Sequence, residues 1–363
     1  MAKTKKKYWL FPGVLLFLLY VFIAARPIPR ETVILPDWLT SLESGFPINL
    51  GENKRNQGSI IPFELGNRFG YVQDNGQFML NRIRKEYLSF SSYSWSEYEA
   101  LPQAINVFDP QGRQLMTIED PGGYPLFLDG KIFITGSEQN SISRLNDQGE
   151  IVWSYDFPAN LTCIDAASGF ILAGTLDGDL ELLNASGRLV FSFEPGGSRL
   201  AVILGCAISS DGSRLAVVSG IDDQRFLLLE QSGDTYHVVY HEFLSEGFRR
   251  AVKVNFIDNE KKIVFEREGG IGIYDIASRI STFINLKGEV AAIDSGENKY
   301  LFVVTSLAEN RKRLMGIHIP DARTSTIFLD TPFKSENVFL GRKNSSIYIG
   351  GDQSIISFEL GKK

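Results

Sequence analysis

The stretch at residues 169–194, GFILAGTLDGDLELLNASGRLVFSFE, limits what this chain can fold into more than any other. Phe170-Ile171-Leu172-Ala173 is a short apolar run suited to a strand covered on both faces. Asp177-Gly178 then forms a two-residue turn, because primed hairpin turns need positive φ at their centre and Asp and Gly tolerate it. Leu180-Glu181-Leu182 alternates, Asn184-Ala185-Ser186-Gly187 turns again, and 189–193 closes the unit. Leu161-Thr162-Cys163-Ile164 supplies a strand ahead of it. A four-stranded meander of this size cannot bury both faces alone, so it needs copies stacked beside it.

Copies recur down the chain. Turns before a second strand are read at 74–76, 129–130, 168–169, 211–212, 258–260, 296–298 and 342–344. Turns before a fourth strand are read at 109–113, 146–150, 184–188 and 231–234, with weaker versions at 277–279 and 321–323. The spacing of about 40 residues belongs to propeller blades, whereas helical repeats would show a 3.6-residue period. The expected fold is therefore an all-β, seven-bladed β-propeller over 58–360. The last unit ends one strand short, and 58–64 is expected to close it, with Pro62 on an unpaired edge.

The run Gly149-Glu150-Ile151-Val152-Trp153-Ser154-Tyr155 resembles the closing strand of the PQQ-like propeller repeat, and Ser210-Asp211-Gly212-Ser213-Arg214-Leu215-Ala216 is more similar to WD40-type repeats. The resemblance implies the fold and little about function, because propellers host enzymes, lectins and scaffolds.

Ahead of the ring, Lys3, Lys5, Lys6 and Lys7 precede an uncharged run at 8–25, with Arg26 and Arg30 beyond it. Eighteen helical residues approach the thickness of a hydrocarbon core, and the lysine excess places the N-terminus inside. These features predict a basic cytoplasmic tail (1–7), an uncleaved transmembrane signal anchor (8–25) in the inner, cytoplasmic membrane, and an extracytoplasmic, periplasmic propeller. A juxtamembrane linker at 26–57 is expected to hold a short amphipathic helix, from the spacing of Leu35, Trp38, Leu39, Leu42 and Phe46. Every charge in the first thirty residues is positive, so the rest is more acidic than the overall −6. An acidic ring does not suit nucleic acid.

Chemical signals are sparse. His237 and His241 share a strand face but stand too far apart to hold one metal ion, and His318 is alone. Asp165, Asp211, Asp258 and Asp294 recur near first hairpins and read as turn residues, with a cation site as the alternative. Cys163 and Cys206 occupy equivalent places in neighbouring units. Sheets packed about 10 Å apart keep such thiols separate unless the ring narrows near its axis. Asn160, Asn184 and Asn344 fit the glycosylation pattern but are ordinary turn residues.

One segment departs from the repeat. Tyr87, Phe90, Tyr93, Trp95 and Tyr98 stand among serines between the second and third strands of the first unit, a composition typical of contact surfaces. They are the expected partner-binding residues, with Arg249, Arg250 and Lys253 as a weaker basic candidate. The expected function is a non-catalytic protein-binding scaffold without metal or cofactor, its partners being envelope proteins. In that respect it resembles the propeller accessories of outer-membrane assembly. The alternative is an enzyme or ligand sensor whose channel takes a quinone or a divalent cation.

Overall fold

A computed structural model describes residues 10–24, 32–50, 59–244, 247–296, 299–320 and 325–362. Two compact units are distinguished, Pro36–Glu359 and Met1–Leu35 with Leu360–Lys363.

The first unit carries the helix Leu10–Ala24, fifteen residues without an acidic or basic side chain in its end turns. At 1.5 Å per residue it is about 22 Å long, short of a hydrocarbon core of about 30 Å. Among the described residues, no helix is long and apolar enough to cross a membrane. The expected transmembrane anchor, and the inner-membrane and periplasmic placement built on it, are therefore corrected. The basic tail and, of the juxtamembrane linker, 26–31 and 51–57 lie outside the described residues.

The second unit is all-β, with eight blades where seven were expected. Blade one spans 60–83, blade two 87–119, blade three 123–156, blade four 161–193, blade five 203–243, blade six 254–285 and blade seven 289–334. Blade eight joins 339–362 to the strands Thr32–Ser41 and Pro47–Asn49. The innermost described strand of blade one, Ile60–Leu65, lies beside Phe339–Lys343 of blade eight, so first and last blades meet.

A repeated backbone bond identifies each strand's place. In every blade but the fourth, the N–H just after the fourth strand reaches a carbonyl in the loop between the second and third. Examples are Asp120 to Gln103, Phe157 to Asn140 and Leu286 to Gly269. Arg84 to Asn67 and Leu42 to Gln353 are the same bond in blades one and eight. Thr32–Ser41 is thus the fourth strand of blade eight. It fills the place assigned to 58–64, and what was expected as an amphipathic helix is extended. Trp38 and Thr40 are buried on one face of it, where Trp38 Nε1 donates to the Asp74 carbonyl at 2.7 Å and Thr40 Oγ1 to that of Gly76 at 2.6 Å. Apolar spacing of three and four residues fits a helix, but burial at alternate positions fits a strand, and the neighbouring blades supplied the burial.

Blade one consists, among the described residues, of the second, third and fourth strands of the repeat. Its 73–77 turn has the same bonds as 109–113, 146–150 and 184–188: the first N–H reaches the fifth carbonyl, and the glycine N–H returns to the first. Together with the Arg84-to-Asn67 bond, this makes it a turn before a fourth strand. The residues that looked like an insertion after it are the first hairpin of a whole further blade. That hairpin escaped the repeat count because Ser91–Ser94 contains no glycine; Ser91 Oγ instead accepts from the N–H groups of Tyr93 and Ser94. Pro62 does stand in an edge strand, but on the inner edge. It has no N–H to leave unpaired there, and Lys343 Nζ donates to the Ile60 carbonyl at 3.1 Å.

The core lies between blades rather than in one centre. Trp38, Phe63, Tyr348 and Ile355 pack blade eight on blade one, and Phe226 stacks on Phe265 at 4.2 Å between blades five and six. The ring has two distinct faces. The connecting face carries the inter-blade links and the loops between second and third strands. The hairpin face carries the other turns, such as Ser168-Gly169, where both residues have positive φ.

Candidate interaction site

The five expected contact residues belong to the hairpin Tyr87–Phe90 and Trp95–Tyr98 of blade two, and the fold distributes them in three directions. Trp95 is 1 % exposed, stacks on Phe108 at 4.4 Å and donates from Nε1 to the Asp109 carbonyl at 2.9 Å. Phe90 packs on Phe69 and Tyr71 of blade one. Tyr93 is exposed at the hairpin face. Tyr87 and Tyr98 sit at the opposite, connecting face, where the first strand begins and the second ends.

These two tyrosines form a surface with residues that the sequence reading missed. Tyr87 is 60 % exposed and stacks on Tyr98 at 6.2 Å, and Tyr98 lies 5.8 Å from Tyr124 of blade three. Leu101, 83 % exposed, projects from the adjoining loop. Two of the rings are held by their hydroxyls: Tyr98 Oη is 3.1 Å from Ser89 Oγ, and Tyr124 Oη donates to the Ala100 carbonyl at 3.0 Å. Ser89 Oγ in turn donates to the Pro125 carbonyl at 2.5 Å, which ties the hairpin to blade three. The row presents apolar ring surface in a fixed geometry, at little cost in side-chain entropy on binding. Tyr124 could have been found from the repeat, because it is the second residue of the first strand of blade three, close to the place Tyr87 holds in blade two.

The basic candidates lie on the same face. Arg250 spans Glu266 with contacts of 2.6 and 3.2 Å and lies over the Phe248 ring at 4.2 Å; Arg249 and Lys253 are exposed. They adjoin a cleft of about 710 Å³ between blades six and seven, whose lining includes Arg250, Glu266, Glu268, Gly288 and Glu289. Because Glu266 is buried against Arg250, the cleft's remaining acids are Glu268 and Glu289.

The four aspartates are engaged locally. Asp165 accepts the Ile208 N–H of the next blade at 2.9 Å, and its burial pushes the carboxyl above the usual range. Asp211 is held down at about 2, chiefly by the Ser209 hydroxyl and then by Ser213. Asp258 pairs with Lys262 at 3.3 Å and accepts the Lys299 N–H of blade seven at 3.2 Å. Asp294 binds Arg342 of blade eight at 2.9 Å, both side chains being at most 2 % exposed. Three of the four therefore connect neighbouring blades. Among the described residues, no group of three or more His, Cys, Asp or Glu side chains is placed to hold a metal ion, and His237 and His241 are exposed on the outer strand of blade five.

Comparison with known proteins agrees with the architecture. An uncharacterised protein of Treponema pallidum (strain Nichols) is 28 % identical over 316 residues, 86 % of this chain and 83 % of that protein. The crystal structure of BamB from Moraxella catarrhalis aligns with a TM-score of 0.56 at 11 % identity, covering 84 % of this chain and 99 % of that one. A chain in a crystal structure of the mitotic checkpoint complex aligns at 0.55 and 11 % identity, covering 86 % and 96 %. At such identities the two structures establish the fold alone. A model of a β-propeller protein family matches residues 1–362, and the chain belongs to that family.

Proposed function

We propose that this propeller is a non-catalytic protein-binding scaffold whose partner docks on the connecting face at Tyr87, Tyr98, Tyr124 and Leu101. The observation that carries the reading is the 60 % exposed Tyr87 stacked in a row with the half-buried, hydrogen-bonded Tyr98 and Tyr124, and flanked by an 83 % exposed leucine. Tyrosines of this kind are characteristic anchors of protein interfaces, and they place large apolar area where water would otherwise cover it. Its structural neighbours include a subunit of a multi-protein complex, which supports a partner-binding use of the ring. A cell-envelope protein as the partner is the narrower form of this reading.

The test compares cross-linked companions of tagged wild-type protein, Tyr87→Ser/Leu101→Ser and Tyr93→Ser, all purified from the native source. The expected result is a companion kept by wild type and by Tyr93→Ser, which alters the hairpin face, and lost from the double variant. Loss from Tyr93→Ser alone would move the surface to the other face. Equal retention by all three would refute the proposed surface. The companion's identity decides the envelope reading.

A second reading has one observation in its favour. The cleft between blades six and seven is large enough for a small ligand, and Glu268 and Glu289 line it without a hydrogen bond to another described side chain. Native mass spectrometry of the purified chain would then show a bound small molecule.

A further inference from the structure

The chain's two cysteines lie on the innermost strands of adjacent blades, Cys163 on Leu161–Ala167 of blade four and Cys206 on Ile203–Ile208 of blade five. These strands lie side by side, with Cα atoms within 8 Å of each other. Each is the first strand after an inter-blade link, so both run the same way across the ring. Their register is set by the bond between Asp165 Oδ2 and the Ile208 N–H, 2.9 Å. Strand side chains repeat every second residue, so two residues back along both strands Cys163 faces Cys206.

Local packing agrees. Cys206 Sγ reaches across to the Leu172 carbonyl of blade four at 3.8 Å, and the Cys163 thiol is near enough to raise its pKa. Opposite Cys163 stands Gly174, where a β-carbon would lie 2.7 Å from the Cys163 sulfur and 2.4 Å from Ile203. This glycine has ordinary negative φ, so what it supplies is space for the sulfur and the neighbouring blade. Cα atoms of the two strands come within 8 Å of each other, closer than the 10 Å of parallel-faced sheets, while the two thiols themselves are free, as expected.

We propose that Cys163 and Cys206 are a redox modification site that closes into a reversible inter-blade disulfide, a property independent of the docking surface described above. A small-molecule disulfide is the oxidant. Cys163, half-buried, is the thiol it reaches first, whereas Cys206 is buried at 9 % exposure. The Cys163 thiolate attacks one sulfur of the oxidant and displaces the other half as a thiolate, which takes up a proton. The Cys206 thiolate then attacks the Cys163 sulfur of the mixed disulfide and displaces the second half. Two cysteine thiols are oxidised, one disulfide is reduced to two thiols, and the protons pass from the cysteines to the leaving groups. Hydrogen bonding with Cys163, together with burial, pushes the Cys206 thiol up, which makes the second step the slower one.

The test is oxidation of the native full chain with oxidised glutathione, followed by alkylation and peptide mapping. The expected result is a Cys163–Cys206 cross-linked peptide, no retained glutathione, and a rise in Tm that dithiothreitol reverses. Cys206→Ser should instead hold glutathione on Cys163. Two free thiols after prolonged treatment, stable glutathione on the wild-type chain, or a cross-link that forms only in denaturant would each overturn the proposal. The wild-type map decides the matter even if the variant folds poorly.

Discussion

Glu181 shows what a single buried side chain does in an interior built from repeats. It lies on the third strand of blade four, 6 % exposed, with Oε2 unpartnered and the Tyr155 hydroxyl of blade three as its hydrogen-bond partner. Burial raises its carboxyl above the usual value, the Tyr155 bond offsets part of that, and the Asp179 charge adds to it. A raised carboxyl favours the protonated folded state. Stability is therefore greatest below the unfolded-state value, falls as pH rises through the folded-state value, and stays reduced at neutrality. Glu181→Gln should raise stability at pH 7, because the amide has no charge for burial to penalise. The gain should shrink toward acid pH in urea titrations at a series of pH values; a gain independent of pH would refute the assignment. The same scale separates the aspartates of the hairpin face. Asp294 and Arg342 are both buried, so Arg342→Met should cost about 3–5 kcal/mol by removing the counter-charge of a buried carboxylate. Chemical denaturation measures it. From sequence all four aspartates looked alike, because turn chemistry is local while Arg342 arrives from 48 residues away.

At the scale of the element, the strand Thr32–Ser41 carries the lesson. Its apolar residues satisfy a helical pattern, and only its partners decide between the two. Trp38 is 2 % exposed between Tyr348, at 5.9 Å, and blade one. Trp38→Ala should cost about 3–5 kcal/mol, as for large core aromatics, and its first sign should be faster amide exchange in blades one and eight. Uniform exchange across all blades would argue against a local role for this strand. The hairpin of blade two is the complementary case. Its aromatics were visible as a group, but alternation along a strand sends Trp95 into the core while Tyr98, at the strand's end, reaches the connecting face. Composition alone does not carry that distinction.

For the whole molecule, joining an N-terminal strand to the last blade makes the ring's stability depend on residues from both ends of the chain. Deleting 32–41 should lower the urea midpoint and reduce the m-value, because blade eight would lose its fourth strand and the surface it covers. An unchanged m-value would mean that closure contributes little. The alternating strands, the Asp-Gly and Asn-x-x-Gly turns and the all-β class were determined by the sequence itself, since each depends on residues within a few positions of one another. The count of eight blades, the partner of the first strand, the meeting of Tyr87, Tyr98 and Tyr124, and the proximity of Cys163 to Cys206 were decided only by the tertiary structure. Each depends on which strand lies beside which across tens or hundreds of residues, and local preferences leave that choice open until burial between the blades selects one arrangement.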